Sequence, residues 1–255
     1  MDRRKLIENP YRPGAGHLPP LLGGRARELE TFRRLLRQRS IVENVVITGL
    51  RGFGKTVLLE TMRKLAKTEG WLWVGNDLSE SAALSEERLA MRLLTDIASA
   101  LTQHAAMQPP PLFPTEPAEA APSTFEALKL AYEQAPGLPS DRLRAVLMRL
   151  STLVARLKLE GIIFAYDEAQ CLCDHAERHE FPMSMLIETV SALQKKDSVT
   201  PCLLLLAGLP QLFTSLTETR TYTERMFQVM TLDRLTRAET FEAVNTPISA
   251  LSPPL

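Results

Sequence analysis

Apolar positions along this chain follow two alternating rhythms, one helical and one in short dense runs. From Arg25 to Arg37, Leu29, Phe32, Leu35 and Leu36 recur at helical spacing. Val45-Val46-Ile47-Thr48 is then a β-branched run ending on a glycine, which predicts a strand. The next helix carries Leu58, Leu59, Met62, Leu65 and Ala66 on one face, with Gly70 as its stop. Trp71 to Val74 predicts a second strand. A long helix follows from Ser85, an N-cap with Glu86 and Glu87 in the dipole-favoured first turn; Leu89, Leu93, Leu94, Ile97 and Leu101 form its stripe.

Periodicity is lost over residues 108–122, where six prolines predict an exposed insertion. It returns in a helix starting at Ser140-Asp141, with Leu143, Leu147, Leu150, Val154 and Leu157 facing inward and Gly161 ending it. Ile162 to Tyr166 predicts a third strand, residues 182–195 a helix, and Cys202 to Ala207 a fourth strand buried on both faces. Thr236-Arg237-Ala238-Glu239 has the form of a capping box and opens a last helix. Strands alternating with helices predict an α/β fold: a parallel three-layer domain with the sheet flanked by helices. Residues 1–22 read as an irregular lead-in, 23–235 as the main domain, and 236–255 as the start of a truncated or minimal helical lid.

The strand-to-helix junction after Thr48 carries the chemistry. Gly49-Leu50-Arg51-Gly52-Phe53-Gly54-Lys55-Thr56 matches G-x-x-x-x-G-K-T in full, so the expected fold is a three-layer P-loop NTPase with a parallel sheet flanked by helices. Glycines let backbone N–H groups close around phosphate oxygens, and the following helix turns its positive end toward them, so Gly49, Gly52, Phe53, Gly54, Lys55, Thr56 and Val57 are the expected nucleotide-binding residues. Lys55 is placed for the β- and γ-phosphates, and the Thr56 hydroxyl for magnesium. The third strand ends in Asp167-Glu168, which puts a carboxylate beside the phosphates. Asp167 is the expected magnesium ligand and Glu168 the expected activator of the attacking water. An acid pair of this kind separates hydrolysing ATPases from small-molecule kinases, so ATP with Mg²⁺ and hydrolysis are the expectation.

These motifs and their spacing, including Tyr166-Asp167-Glu168-Ala169-Gln170, resemble the AAA+ ATPases, specifically the origin-recognition and transposition-regulator branch of bacterial and archaeal members. Gly23-Gly24-Arg25-Ala26-Arg27-Glu28-Leu29 resembles that family's upstream G-R-x-x-E-L box, so the resemblance places Gly24 and Arg25 at the adenine. Leu206 to Leu212 resembles the fourth strand. Tyr222-Thr223-Glu224-Arg225-Met226-Phe227 resembles the stretch that offers an arginine to a neighbouring subunit. The resemblance therefore implies a homo-oligomer with Arg225 as a finger acting in trans, Arg220 being its rival. It also implies a polar sensor at the tip of the fourth strand, but that tip reads Ala207-Gly208, leaving Gln211 as a substitute. Only about one helix remains for the lid, and no DNA-binding winged helix follows, so the chain reads as a fragment or a bare ATPase core.

Composition narrows the setting. Apolar residues make up 45% of the 255 and charged residues 24%, which is ordinary globular composition, and 30 basic residues balance 30 acidic ones. A neutral total gives no electrostatic case for a large nucleic-acid footprint. The N-terminus lacks a signal-peptide pattern, and the longest apolar stretch, Cys202 to Leu209, is too short to span a membrane. Three cysteines favour a reducing compartment, so a cytoplasmic location is expected. Cys171, Cys173, His175 and His179 fall within nine residues, yet C-x-C-x-H-x-x-x-H departs from zinc-site spacing, and buried thiols beside an exposed His-rich loop fit better. Trp71 and Trp73 alternate along a strand as packing residues. The resulting expectation is an ATP-driven switch or remodeller acting on a DNA or protein partner. The alternatives are a STAND-type signalling or defence NTPase and a nucleotide-gated binding module with little turnover.

Overall fold

The computed structural model describes residues 22–38, 43–81, 85–107, 124–195, 200–219 and 223–249. Residues 1–21, the insertion at 108–122 and Arg220 lie outside the described residues. Five strands form one parallel sheet: β1 (Asn44–Thr48), β2 (Trp71–Val74), β3 (Gly161–Tyr166), β4 (Cys202–Gly208) and β5 (Phe227–Thr231). Their order is β2-β3-β4-β1-β5, so β4 lies between the strand that leads into the phosphate loop and the strand that ends in the acid pair.

The helices are α1 (Ala26–Leu36), α2 (Lys55–Thr68), α3 (Glu86–Met107), α4 (Phe125–Gln134), α5 (Pro139–Arg156), α6 (Pro182–Leu193), α7 (Gln211–Thr219) and α8 (Arg237–Ser249). Successive strand residues point to opposite faces, and this sorts the core into two slabs. Val46, Leu72, Val74, Phe164, Leu204 and Leu206 pack with α3, α5 and α6. Val45, Ile47, Trp71, Trp73, Ile163 and Leu205 pack with α1 and α2. Both tryptophans are buried, so they are packing residues as expected. Two faces covered by helices explain why β1, β3 and β4 are buried along their whole length.

Three elements escape the periodicity analysis: α4, α7 and β5. One boundary is corrected as well. Gly161 does not end a helix; α5 stops at Arg156, the chain turns through Lys158 at φ +57°, and Gly161 opens β3. Glycine is needed there because a Cβ would lie 2.2 Å from Cζ3 of Trp71, its register partner on β2. Local signals elsewhere behave as expected. Gly70 at φ +80° follows α2, and Arg88 N–H donates to Ser85 Oγ (3.3 Å) at the start of α3. Thr236 and Glu239 exchange capping bonds: Thr236 N–H donates to Glu239 Oε2 (2.8 Å) and Glu239 N–H to Thr236 Oγ1 (3.3 Å).

Candidate nucleotide site

The phosphate loop leaves the C-terminal end of β1 and turns directly into α2. Gly52 and Gly54 have φ of +82° and +86°, and nothing lies within 4 Å of a Cβ built on either. Their requirement for glycine is therefore conformational, since the left-handed region penalises any side chain. Gly49 is restricted sterically instead: a Cβ would meet the Leu232 carbonyl at 2.7 Å. Lys55 is buried and donates through Nζ to the carbonyls of Gly49 (2.8 Å) and Leu50 (3.1 Å). Its ammonium is thus held inside the loop that it closes.

Across the tip of β4, Thr56 Oγ1 donates to Asp167 Oδ2 at 2.6 Å. Asp167 is 2% exposed and otherwise anchored by the backbone: its Oδ1 accepts from Glu168 N–H (2.8 Å), its N–H donates to the Asn76 carbonyl (3.3 Å), and its own carbonyl accepts from Leu78 N–H (3.0 Å). A hydroxyl and a carboxylate meeting at the end of a phosphate loop are hard oxygen donors of the kind magnesium takes, so these residues fit that ion. Glu168 sits at φ +52° with an exposed side chain, and the Gln170 amide donates to its Oε2.

A third carboxylate stands here that the motif analysis missed. Asp77 follows β2 and bridges Asp167 along the backbone. Burial first, then the charges of Asp167 and Glu168, push its carboxyl above the usual range. The signal was present in Gly75-Asn76-Asp77 after the second strand, but without the strand order nothing ties that strand tip to Asp167. Behind β3, the Tyr166 hydroxyl donates to Asp96 Oδ2 (3.2 Å), and Arg92 Nε pairs with the same carboxyl (2.9 Å), fastening the strand that carries the acids to α3.

On the other side of the loop, a cavity of about 520 Å³ is lined by Gly23, Arg25, Phe53, Val57, Leu235 and Ala243 among others, a volume suited to a nucleoside. Arg25 is buried, and its guanidinium donates to the carbonyls of Phe53 (3.0 Å) and Asp233 (2.7 Å) while pairing with Glu28 (3.7 Å). Gly52 and Gly54 also line this cavity; Gly24 does not. Gly24 turns the chain at φ +65° against Leu235 and Glu239, so it shapes the wall from behind.

Residues 22–205 match the family model described as AAA ATPase domain. The chain belongs to the AAA ATPase domain family. As an AAA ATPase it is a nucleotide-binding domain, with ATP as its nucleotide. No curated protein matches the sequence. Among solved structures, the ORC2 protein of Aeropyrum pernix in its ADPNP–ADP complexes is similar at 16% identity and a TM-score of 0.57, covering 92% of this chain and 55% of that one. The ADP form of the same protein gives 17% identity, a TM-score of 0.52 and the same coverages. AMPPCP-bound DnaA from Aquifex aeolicus is similar at 15% identity and a TM-score of 0.45, over 90% of this chain and 53% of that one. The ORC2 likenesses show the fold, and the AAA ATPase described here spans about half the length of those proteins.

Other expected residues of this AAA ATPase fall as follows. Arg225 is exposed on the short 3₁₀ turn Thr223–Met226 that leads into β5. Gln211 is exposed at the first position of α7, and the side chain that bonds the β4 tip is Gln170 instead. Cys173 Sγ lies 3.6 Å from His175 Nε2; among the described residues no group of three His, Cys, Asp or Glu is placed to hold a metal. Cys171 and Cys173 are half-buried rather than buried, and desolvation raises both thiols above their ordinary value. Among the described residues no helix is long and apolar enough to cross a membrane.

Proposed function

We propose that this AAA ATPase binds ATP with magnesium and hydrolyses it, working as an oligomeric switch or remodeller on a DNA or protein partner. The observation that carries the reading is the Thr56–Asp167 hydrogen bond of 2.6 Å, which brings two oxygen donors for magnesium together beside Glu168. It joins the phosphate loop to the acid strand and leaves Glu168, the next residue, free of that anchoring role. Lys55 and the N-terminus of α2 bind and orient the phosphates. Thr56 and Asp167 would hold magnesium, which neutralises charge on the phosphate oxygens. Glu168 accepts a proton from the attacking water, a role that contributes about 10²–10⁴ in rate when the base is well placed.

The oligomer and the partner rest on the resemblance to the origin-recognition branch. The exposure of Arg225 supports a role toward a neighbouring subunit, because an arginine acting in trans must reach beyond its own chain.

Lys55→Ala and Glu168→Gln separate binding from turnover. With a fluorescent ATP analogue, Lys55→Ala is expected to lose binding, whereas Glu168→Gln binds like the parent. Phosphate release by Glu168→Gln is expected to fall by about 10² or more. Equal phosphate release by parent and Glu168→Gln would remove Glu168 as the base.

A further inference from the structure

The tip of β4 lies between the phosphate loop and the acid pair, yet Ala207-Gly208-Leu209 offers no polar side chain there. The structure supplies one from a different segment. Gln170, in the 3₁₀ turn Ala169–Cys171 that follows the acids, reaches across to β4: Leu209 N–H donates to Gln170 Oε1 at 3.0 Å. From the other end of the same amide, Nε2 donates to Oε2 of Glu168. The amide orientation is determined by its partners, since flipping it would set NH₂ against N–H and a carbonyl against a carboxylate.

Gly208 makes this approach possible. A Cβ on it would lie 2.6 Å from Gln170 Oε1 and 3.2 Å from the Gln170 backbone nitrogen. The apolar strand tip is thus a space that the glutamine amide fills. Glu168, by contrast, has an exposed side chain on a left-handed residue, so this hydrogen bond is what limits the rotamers of its carboxylate.

We propose that Gln170 is the positioning residue for Glu168, providing from the acid loop the polar function that the β4 tip lacks. One amide then ties three parts of the site together: its carbonyl is fixed by β4, its NH₂ faces the proposed base, and its backbone belongs to the turn that presents the acids. The inference rests on the hydrolytic reading of Glu168.

Gln170→Glu is the discriminating variant. It keeps an oxygen to accept from Leu209 N–H, but replaces the donor to Glu168 with a second negative charge. Gln170→Leu removes both bonds. With thermal unfolding as a folding check, analogue affinity and steady-state kinetics are measured for both. The expected result is kcat lowered about tenfold or more in each, with KM and analogue Kd within about twofold of the parent. In a Glu168→Gln background, Gln170→Glu is expected to add no further loss, because the two residues act as one unit. Gly208→Ala, which displaces the amide without removing it, is expected to reproduce the kcat loss and serves if the Gln170 variants fail to fold.

A parent-like kcat in Gln170→Glu would reduce Gln170 to an anchor of β4 and overturn the proposal. A raised kcat, or losses that multiply with Glu168→Gln, would overturn it too. In those cases a parent that hydrolyses ATP and a Glu168→Gln that does not leave the hydrolytic reading standing. A parent without turnover removes both.

Discussion

Arg25 holds together three segments that are distant in sequence: its own turn before α1, the phosphate loop at Phe53, and the connection from β5 to α8 at Asp233. The resemblance implies a place for this residue at the adenine; what the structure shows is its side chain framing the cavity beside the phosphate loop. Arg25→Ala leaves two carbonyls without their charged donor in a buried place. Hydrogen bonds to charged groups contribute about 1.5–3 kcal/mol each, so the loss of two is expected to cost about 3–6 kcal/mol in denaturant unfolding. Analogue affinity is expected to fall about tenfold or more, because the wall and the loop lose their common tie. In Arg25 one guanidinium nitrogen, Nη2, bonds both carbonyls while Nη1 pairs with Glu28; Arg25→Lys keeps the charge but has a single nitrogen for all three, and is expected to recover only part of either loss. An Arg25→Ala protein with parental affinity and stability would show that the clamp is idle. At the residue scale the phosphate loop was the most legible part, since local backbone constraints fix Gly52, Gly54 and Lys55, whereas the meeting of Thr56 with Asp167 depends on the strand order. Gln170 and Asp77 were not legible, because each matters only through a neighbouring strand.

Among the elements, helices with long apolar stripes and strands buried on both faces were readable, and lightly buried elements were not. α4 buries only Leu128 and Tyr132, too few positions to establish a helical period. β5, Phe227-Gln228-Val229-Met230-Thr231, is an edge strand with mixed burial, and its first residue merges with the stretch that was read as the arginine segment. The Gly161 boundary failed because a glycine after a helical stripe signals a stop, whereas here packing against Trp71 selects it. That difference is testable. Gly161→Ala places a methyl at the edge of the Trp71 ring, and overpacking of this kind costs about 1–3 kcal/mol. At about 2–4 °C per kcal/mol for a domain of this size, thermal unfolding is expected to shift down by several degrees. Both tryptophans are buried in the same slab, so the emission maximum is expected to move to longer wavelength as well. An unchanged emission and melting temperature would mean that Trp71 moves aside without cost.

For the whole molecule, the alternation of strands and helices gave a parallel three-layer fold, but it could not order the strands. The order β2-β3-β4-β1-β5 is what brings Asp167 within reach of Thr56 across β4, and no local pattern encodes it. The same scale holds the question of assembly. Arg225 is exposed, on the 3₁₀ turn before the edge strand β5, so it is free to complete a site on another copy. If it does, specific ATPase activity is expected to rise with protein concentration, and Arg225→Ala to lower kcat substantially while leaving analogue affinity unchanged; arginine fingers contribute about 10³–10⁵ in GTPases. Mixing Arg225→Ala with Lys55→Ala then decides where the arginine acts. Each variant alone is expected to have little or no activity, but a mixed interface pairs an intact phosphate loop from one copy with an intact Arg225 from the other. Partial recovery that peaks at intermediate ratios supports action in trans, and no recovery at any ratio removes Arg225 from the role. Repeating the titration with double-stranded DNA separates the two partner classes, since a DNA-coupled ATPase reaches the same specific activity at lower protein concentration when copies gather on one duplex.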